Sequence, residues 1–369
     1  MKLDRRIVRL GLAFLAVVAM AASFLFAWDI VSGRSSHPHL SAAADGTAGQ
    51  GSPTPRSRTP EPAISPTARL VGWHGPVEQL FVHPLVLRPE LAFTDDTLGR
   101  GFQDYFITAR EFSAILDQLW HNGWTLVDPH RVATGRVRVP VGRKPLVLCE
   151  DDVNYYGYFR GRGLASRLVL TPEGAVRAQY TDRTGTRLTS NDVVPLVEAA
   201  VTTHPELSAD GARGILALTG YEGLFGEHNL DVPAARARVR ALASRLTASG
   251  WTLASHTYGH ITLGNDSLAT IRRDTTRWQT LTRGLLGPID ILVYPYGSRP
   301  SRAGMRLLRD KGFGIQLDID SRARLVVDDG VVIMSRRHVD GVAFGNPRSL
   351  FPFFAVATVR DPARPMRLT

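Results

Sequence analysis

The chain has one cysteine in 369 residues, Cys149, so no disulfide can form within it. That single thiol neither supports nor excludes an oxidising compartment. Lysine is nearly absent as well: only Lys2, Lys144 and Lys311 accompany the arginines among 44 basic residues. Such lopsided usage looks like genome base composition rather than function. The formal charge of +10 is spread along the chain, without a dense basic stripe and without basic residues interleaved with aromatics. Nucleic acid is therefore not an expected partner. No internal repeat is present. What remains is a chain with 44% hydrophobic residues, ample for a real core, and long enough for one large domain or two small ones.

The N-terminus reads as a targeting segment. Met1 to Arg9 is basic, and Leu10 to Trp28 is an uncharged apolar run about long enough to span a ~30 Å hydrocarbon core. Residues 1–30 are expected to be a signal peptide or a membrane anchor, with the N-terminus cytoplasmic and the rest exported. Residues 31–69, rich in Ser, Pro, Thr, Ala and Gly, cannot bury enough surface to offset their ordering entropy and are expected to form a flexible linker. The folded domain is expected over 70–358, with 359–369 as a C-terminal tail.

Within the domain, short apolar runs alternate with amphipathic stretches of ten or more residues. Gln79–His83, Trp124–Val127, Leu146–Cys149, Gly214–Thr219, Thr252–Ser255, Ile289–Val293, Gly314–Leu317 and Val331–Met334 read as strands. Helices are predicted over Ala109–Asn122, Asn191–Val201 with Asn191 as N-cap, Val232–Ser249, Asp266–Leu285 and Ser301–Asp310. This alternation predicts a parallel α/β sheet or barrel. The chemistry-bearing residues fall just after the strands, positions that share one face in a β/α barrel.

Three such stretches stand out. Glu150-Asp151-Asp152 ends a buried strand, and adjacent carboxylates suggest a cation site or a general base. His256-Thr-Tyr-Gly-His260 follows another strand, and histidines four apart on a helical turn would share a face; with one carboxylate they form a metal site with open positions. Tyr294-Pro-Tyr-Gly297 follows a third. Each alone has a plainer reading as a solvated turn or a surface helix, and only their joint placement favours a site. The glycine-rich Thr219–Gly226 loop is either a rim, where Tyr221 or Phe225 would stack on a sugar ring, or a connection. His83 and His130 read as structural, and Cys149 as a packing residue.

In this order, the three stretches resemble the first motifs of the NodB-type polysaccharide deacetylases, carbohydrate esterase family four, over about residues 79–340. The resemblance implies a distorted (β/α) barrel that holds one divalent metal, usually zinc, and removes N-acetyl groups from N-acetylglucosamine polymers. It makes Asp152, His256 and His260 the metal ligands, Asp151 the general base and the Tyr296 backbone N–H an oxyanion donor. His338 is the best match for the histidine that protonates the leaving amine. The family's third motif carries an arginine where this chain has Val293; Arg336 or Arg337 is a candidate replacement. Asp318 or Asp320 would correspond to the fourth motif. The expected partners are an extracytoplasmic poly- or oligosaccharide and, through the N-terminal helix, a membrane. Oligomeric state stays open. The rival expectation is a surface-tethered glycan-binding module that kept the fold and lost activity with the arginine.

Overall fold

Seven parallel strands close on themselves in sequence order. They are β1 (Glu78–Val82), β2 (Lys144–Glu150), β3 (Gly214–Leu218), β4 (Trp251–Ser255), β5 (Ile291–Val293), β6 (Ile315–Ile319) and β7 (Val331–His338). Each pairs with the next, and β7 returns to β1 through Arg337 opposite Leu80 and His338 opposite Phe81. The computed structural model describes residues 69–365; the expected membrane segment and most of the expected linker lie outside them. Among the described residues no helix is long and apolar enough to cross a membrane.

Alternation along the strands builds two cores, because successive side chains in a strand point to opposite faces. Phe81, Val147, Cys149, Ile215, Ala217, Ala254, Val293, Leu317 and Met334 fill the barrel. Leu80, Leu146, Leu148, Leu216, Leu218 and Leu292 face outward to the helices. Full burial on both faces explains why these strands are almost continuously apolar rather than alternating.

The helices start where local chemistry allows. Helix α1 (Ala109–His121) opens with a capping box, Thr108 and Glu111 each accepting the other's backbone N–H. Helix α2 (Val193–Thr203) is capped by Asp192, whose Oδ1 accepts the Val193 N–H, and not by Asn191 as the sequence reading expected. Helices α3 (Pro233–Ala248), α4 (Leu268–Thr282) and α5 (Arg302–Asp310) follow β3, β4 and β5, with Ser267 and Ser301 capping the last two.

Two features depart from expectation. A three-stranded antiparallel sheet, Arg167–Leu170, Val176–Asp182 and Gly185–Thr189, is inserted between β2 and α2. The 359–369 stretch, expected as a tail, packs onto the domain through its described part: Arg364 donates to both carboxylate oxygens of buried Glu111, each at 2.7 Å.

Candidate active site

All the strand-end residues singled out from the sequence lie at the C-terminal ends of the barrel strands. His83 follows β1, Asp151 and Asp152 follow β2, Thr219 follows β3, His256 and His260 follow β4, Tyr296 follows β5, and Arg336 to His338 close β7.

Asp152, His256 and His260 meet: each offers a ligand atom, and these atoms lie within 4.8 Å of one another. Asp152 Oδ1 stands 3.5 Å from His260 Nε2 and 3.8 Å from His256 Nε2. Ligands ~2.1 Å from a tetrahedral divalent ion stand about 3.4 Å apart, so the Asp152–His260 separation matches such an ion and a small inward shift would bring in His256. Burial pushes the imidazoles down to about 4 for His256 and about 3 for His260, leaving both neutral, with lone pairs available, at pH 7. His256 Nδ1 is hydrogen-bonded to the Val293 carbonyl at 3.0 Å, which fixes the tautomer with a lone pair on Nε2. Val293 thus orients His256 through its backbone. Asp152 is held in turn by Tyr156 Oη, donating to Oδ1 at 2.7 Å, and by Thr219 Oγ1 at 3.3 Å.

The two histidines do not share a helical turn, as their spacing had suggested. They sit on an irregular loop in which Thr257 and His260 take the left-handed conformation, with φ of 65° and 50°. Asp274 on α4 pins that loop, accepting the Tyr258 and Gly259 N–H groups on separate oxygens, each at 2.8 Å.

Asp151 is fixed from one side only. Its Oδ1 accepts Arg336 Nη1 at 2.6 Å and Cys149 Sγ at 3.2 Å, while Oδ2 stands 4.0 Å from His256 Nε2. Burial alone would raise this carboxyl's pKa. The Arg336 guanidinium, followed by His256, more than offsets that and holds Asp151 well below the usual carboxylate range. Arg336 is itself fully buried, contacts Cys149 Sγ at 3.2 Å and lies over the Phe81 ring. Of the two candidates for the missing arginine, Arg336 takes the place beside the acid, whereas Arg337 pairs with Glu78 at 3.0 Å.

Glu150 does not join the cluster. Strand alternation turns it outward, and it is completely buried with neither carboxyl oxygen bonded among the described residues. Burial and then the Asp192 and Asp151 charges raise its pKa far above normal, so it is neutral.

His338 stacks on Phe81 with ring centroids 6.1 Å apart and faces Asp340 at 3.3 Å. Burial lowers its pKa, but Asp340 outweighs that and the net shift is upward. His83 flanks the same phenylalanine at 5.8 Å, and its Nδ1 meets the Tyr105 carbonyl at 2.9 Å. A histidine directly after an apolar strand was the available sequence signal for it, the same signal that drew attention to His256.

Tyr296 packs edge-on against His260 with centroids 4.6 Å apart, its backbone at φ 58°. Tyr221 stacks on Tyr156 at 5.4 Å, and Tyr158 stacks on Tyr156, also at 5.4 Å. Phe225 is fully buried and cannot meet a sugar ring. Asp318 accepts Arg299 Nε at 3.1 Å beside the third motif, while Asp320 pairs with Arg324 at 3.1 Å.

Residues 221–314, which include both imidazole donors and Tyr296, match the family model for polysaccharide deacetylase. Over these residues the chain carries a polysaccharide deacetylase domain. Solved structures similar to this chain include the Streptococcus pyogenes deacetylase PplD in complex with acetate, with 12% identity, 76% of this chain and 99% of that one covered, and a TM-score of 0.48. IcaB from Ammonifex degensii shows 16% identity over 76% of this chain and 97% of that one, with a TM-score of 0.46. No curated protein sequence matches the chain.

Proposed function

We propose that this deacetylase-family protein is a metal-dependent hydrolase that removes N-acetyl groups from an extracytoplasmic, N-acetylglucosamine-containing polysaccharide. The observation that carries the reading is the pairing of a three-donor cation site, two neutral imidazoles and a carboxylate, with a second carboxylate next to it that coordination does not require. A divalent cation held by Asp152, His256 and His260, with zinc the best fit to two imidazoles and a carboxylate, would polarise the acetamide carbonyl and acidify a water.

The chain's own groups supply the rest. Asp151 takes the proton of the attacking water on Oδ2, because Oδ1 is committed to Arg336 and Cys149. Arg336 keeps that carboxylate ionised and oriented without touching substrate. The Tyr296 N–H serves the oxyanion that develops on the acetyl carbonyl. A histidine above Phe81 returns a proton to the departing amine. His338 matches the family's order of motifs, and His83 flanks the same ring, so His83→Gln and His338→Gln are to be compared directly. The tyrosines at 158, 221 and 296, the first two backed by buried Tyr156, form the apolar, hydrogen-bonding walls that sugar faces require. An exported location rests on the apolar N-terminal run of the sequence.

The test is acetate release from an N-acetylglucosamine oligomer by the protein. Chelation is expected to abolish it and added zinc to restore it. Asp151→Asn is expected to lower the rate by about a hundredfold or more while metal still binds. Full activity after chelation, or in Asp151→Asn, would end the proposal; metal uptake with no acetate from any acetylated glycan would favour a silent binding module.

A further inference from the structure

Beside the active site, on the same face of the barrel, lies a cavity of about 1000 Å³ whose rim is basic. Three loops build it. Arg88 comes from the loop after β1, Arg160 to Arg167 from the loop after β2, and Gly226 from the loop after β3; the far wall is the inserted sheet, through Gln179, Thr181, Asp182 and Arg183.

The cavity is held open by close backbone contacts rather than by loose side chains. Leu87 and Arg88 N–H groups both donate to the Gly163 carbonyl, at 2.7 and 3.0 Å, and the Leu168 N–H donates to Phe225 O at 3.0 Å. A Cβ on Gly163 would stand 2.4 Å from the Arg88 carbonyl oxygen, and one on Gly226 2.3 Å from the Ser166 oxygen. Neither position admits a side chain, so the three loops are locked together. Arg167 is likewise spoken for: Gln179 accepts from it at 2.8 and 3.1 Å, and Glu227 at 3.1 Å.

Charge on the rim is unbalanced. Glu90 is matched by Arg88, and Asp182 by Arg88 and Arg187. Arg160 and Arg183 line the same cavity from opposite walls, and neither has an ion-pair partner among the described residues. Leu91 and Leu164 supply an apolar surface within it. Two uncompensated guanidiniums over such a surface suit a sugar ring that carries a carboxylate or a phosphate, since guanidinium matches both geometrically.

The cavity also lies along the substrate's path. Tyr156, whose hydroxyl touches Asp152, is four residues from Arg160, and four Cα steps span at most about 15 Å. A glycan with its acetamide at Asp152 therefore reaches Arg160 within a few sugar units. We infer that this cavity is an anionic subsite and that the preferred substrate is an acidic N-acetylated glycan rather than a neutral homopolymer. The inference rests on the deacetylase reading for its catalytic consequence, but binding at the cavity does not depend on it.

The experiment uses the full chain, three oligosaccharides of equal length and the Arg160→Ser/Arg183→Ser double variant. One oligosaccharide is an N-acetylglucosamine homopolymer, one alternates N-acetylglucosamine with glucuronate, and one carries phosphodiester groups. At low salt the wild type is expected to show kcat/KM about fivefold or more higher on one acidic oligomer than on the neutral one, which identifies carboxylate or phosphate as the anion. The double variant is expected to lose that preference while its rate on the neutral oligomer stays unchanged, and added salt is expected to shrink it in the wild type. An acidic-to-neutral ratio that is the same in both proteins would overturn the subsite and leave the deacetylase reading standing. Calorimetric binding separates the two: if no acetate appears from any oligomer, yet an acidic one binds wild type at least about fivefold tighter than the variant, the subsite stands and the catalytic reading falls.

Discussion

The two ends of the barrel handle backbone strain differently. At the end where the strands terminate, Asp152, Tyr155, Phe225, Thr257, His260 and Tyr296 are all held at positive φ. At the opposite end the non-glycine examples are Asp210, in the turn before β3, and Asp329, in the Asp-Gly turn before β7. Aspartate tolerates the left-handed region; aromatic, β-branched and imidazole side chains do so at a cost. The lower end therefore uses residues suited to its turns. The upper end accepts unsuited ones because their side chains are needed where the backbone puts them, and burial over-determines the result. The same asymmetry runs through the charges. The upper end buries Asp151 against Arg336, both nearly inaccessible. The lower end pairs His130 with Asp128 and Asp290 in partly exposed positions.

The largest effect is expected where the upper end carries a buried charge. Arg336→Met leaves Asp151 buried without a counter-ion and should cost about 3–5 kcal/mol in denaturant unfolding. Adding Asp151→Asn to that variant should recover much of the loss, whereas additive losses in the double variant would show that the pair is not energetically linked. Next comes Asp274→Ala, which frees the loop between the two imidazoles. Zinc affinity, measured by competition with a chromogenic chelator, should drop about tenfold or more while the unfolding midpoint moves little.

Strain itself gives a smaller signal that separates the two ends. Thr257→Gly relieves about 1 kcal/mol of backbone strain but removes the hydroxyl that accepts the Ile261 N–H at 3.2 Å. Stability should hold or rise while metal affinity falls. Asp329→Gly at the lower end should change neither by much, and a comparable loss of metal binding there would erase the distinction. The smallest effect belongs to His130. Hydrogen bonds that His130 donates to Asp128 and Asp290 raise its pKa to about 10, against an ordinary value near 6.5. A raised folded-state pKa means that the contribution is complete below about 6.5 and is lost as the pH climbs through about 10. The melting temperature of His130→Gln should therefore lie furthest below wild type near pH 6 and converge on it by pH 10; a gap that widens with pH would contradict the pairing.

The sequence makes the barrel legible for a physical reason. Parallel strands buried on both faces must be apolar throughout, so Leu146–Cys149 and Gly214–Leu218 stand out against any background. The inserted antiparallel sheet does not. Its last strand, Gly185–Thr189, is largely solvent-exposed and polar, which leaves no apolar period to detect. In the site, residues adjacent in sequence to a strand end could be named, because the barrel brings all such positions to one face. Glu150 shows the limit: three consecutive carboxylates look equivalent, and only strand alternation decides that one of them turns away from the others. Which arginine would serve Asp151 was equally hidden, since both candidates stand side by side and the choice depends on which face of β7 points inward. His83 reads as structural from the sequence although it follows an apolar strand, because only proximity through space groups it with Phe81 and His338.

The ion pair between Arg336 and Asp151 links positions 185 residues apart, and Arg336 belongs to the stave that closes the ring. During synthesis the acid emerges early and waits through nearly half the chain for its partner. A ribosome must release residue 336 and somewhat beyond before the barrel can shut. Closure and neutralisation then occur together, so any product truncated before that point lacks both the seventh stave and the group that keeps the acid charged.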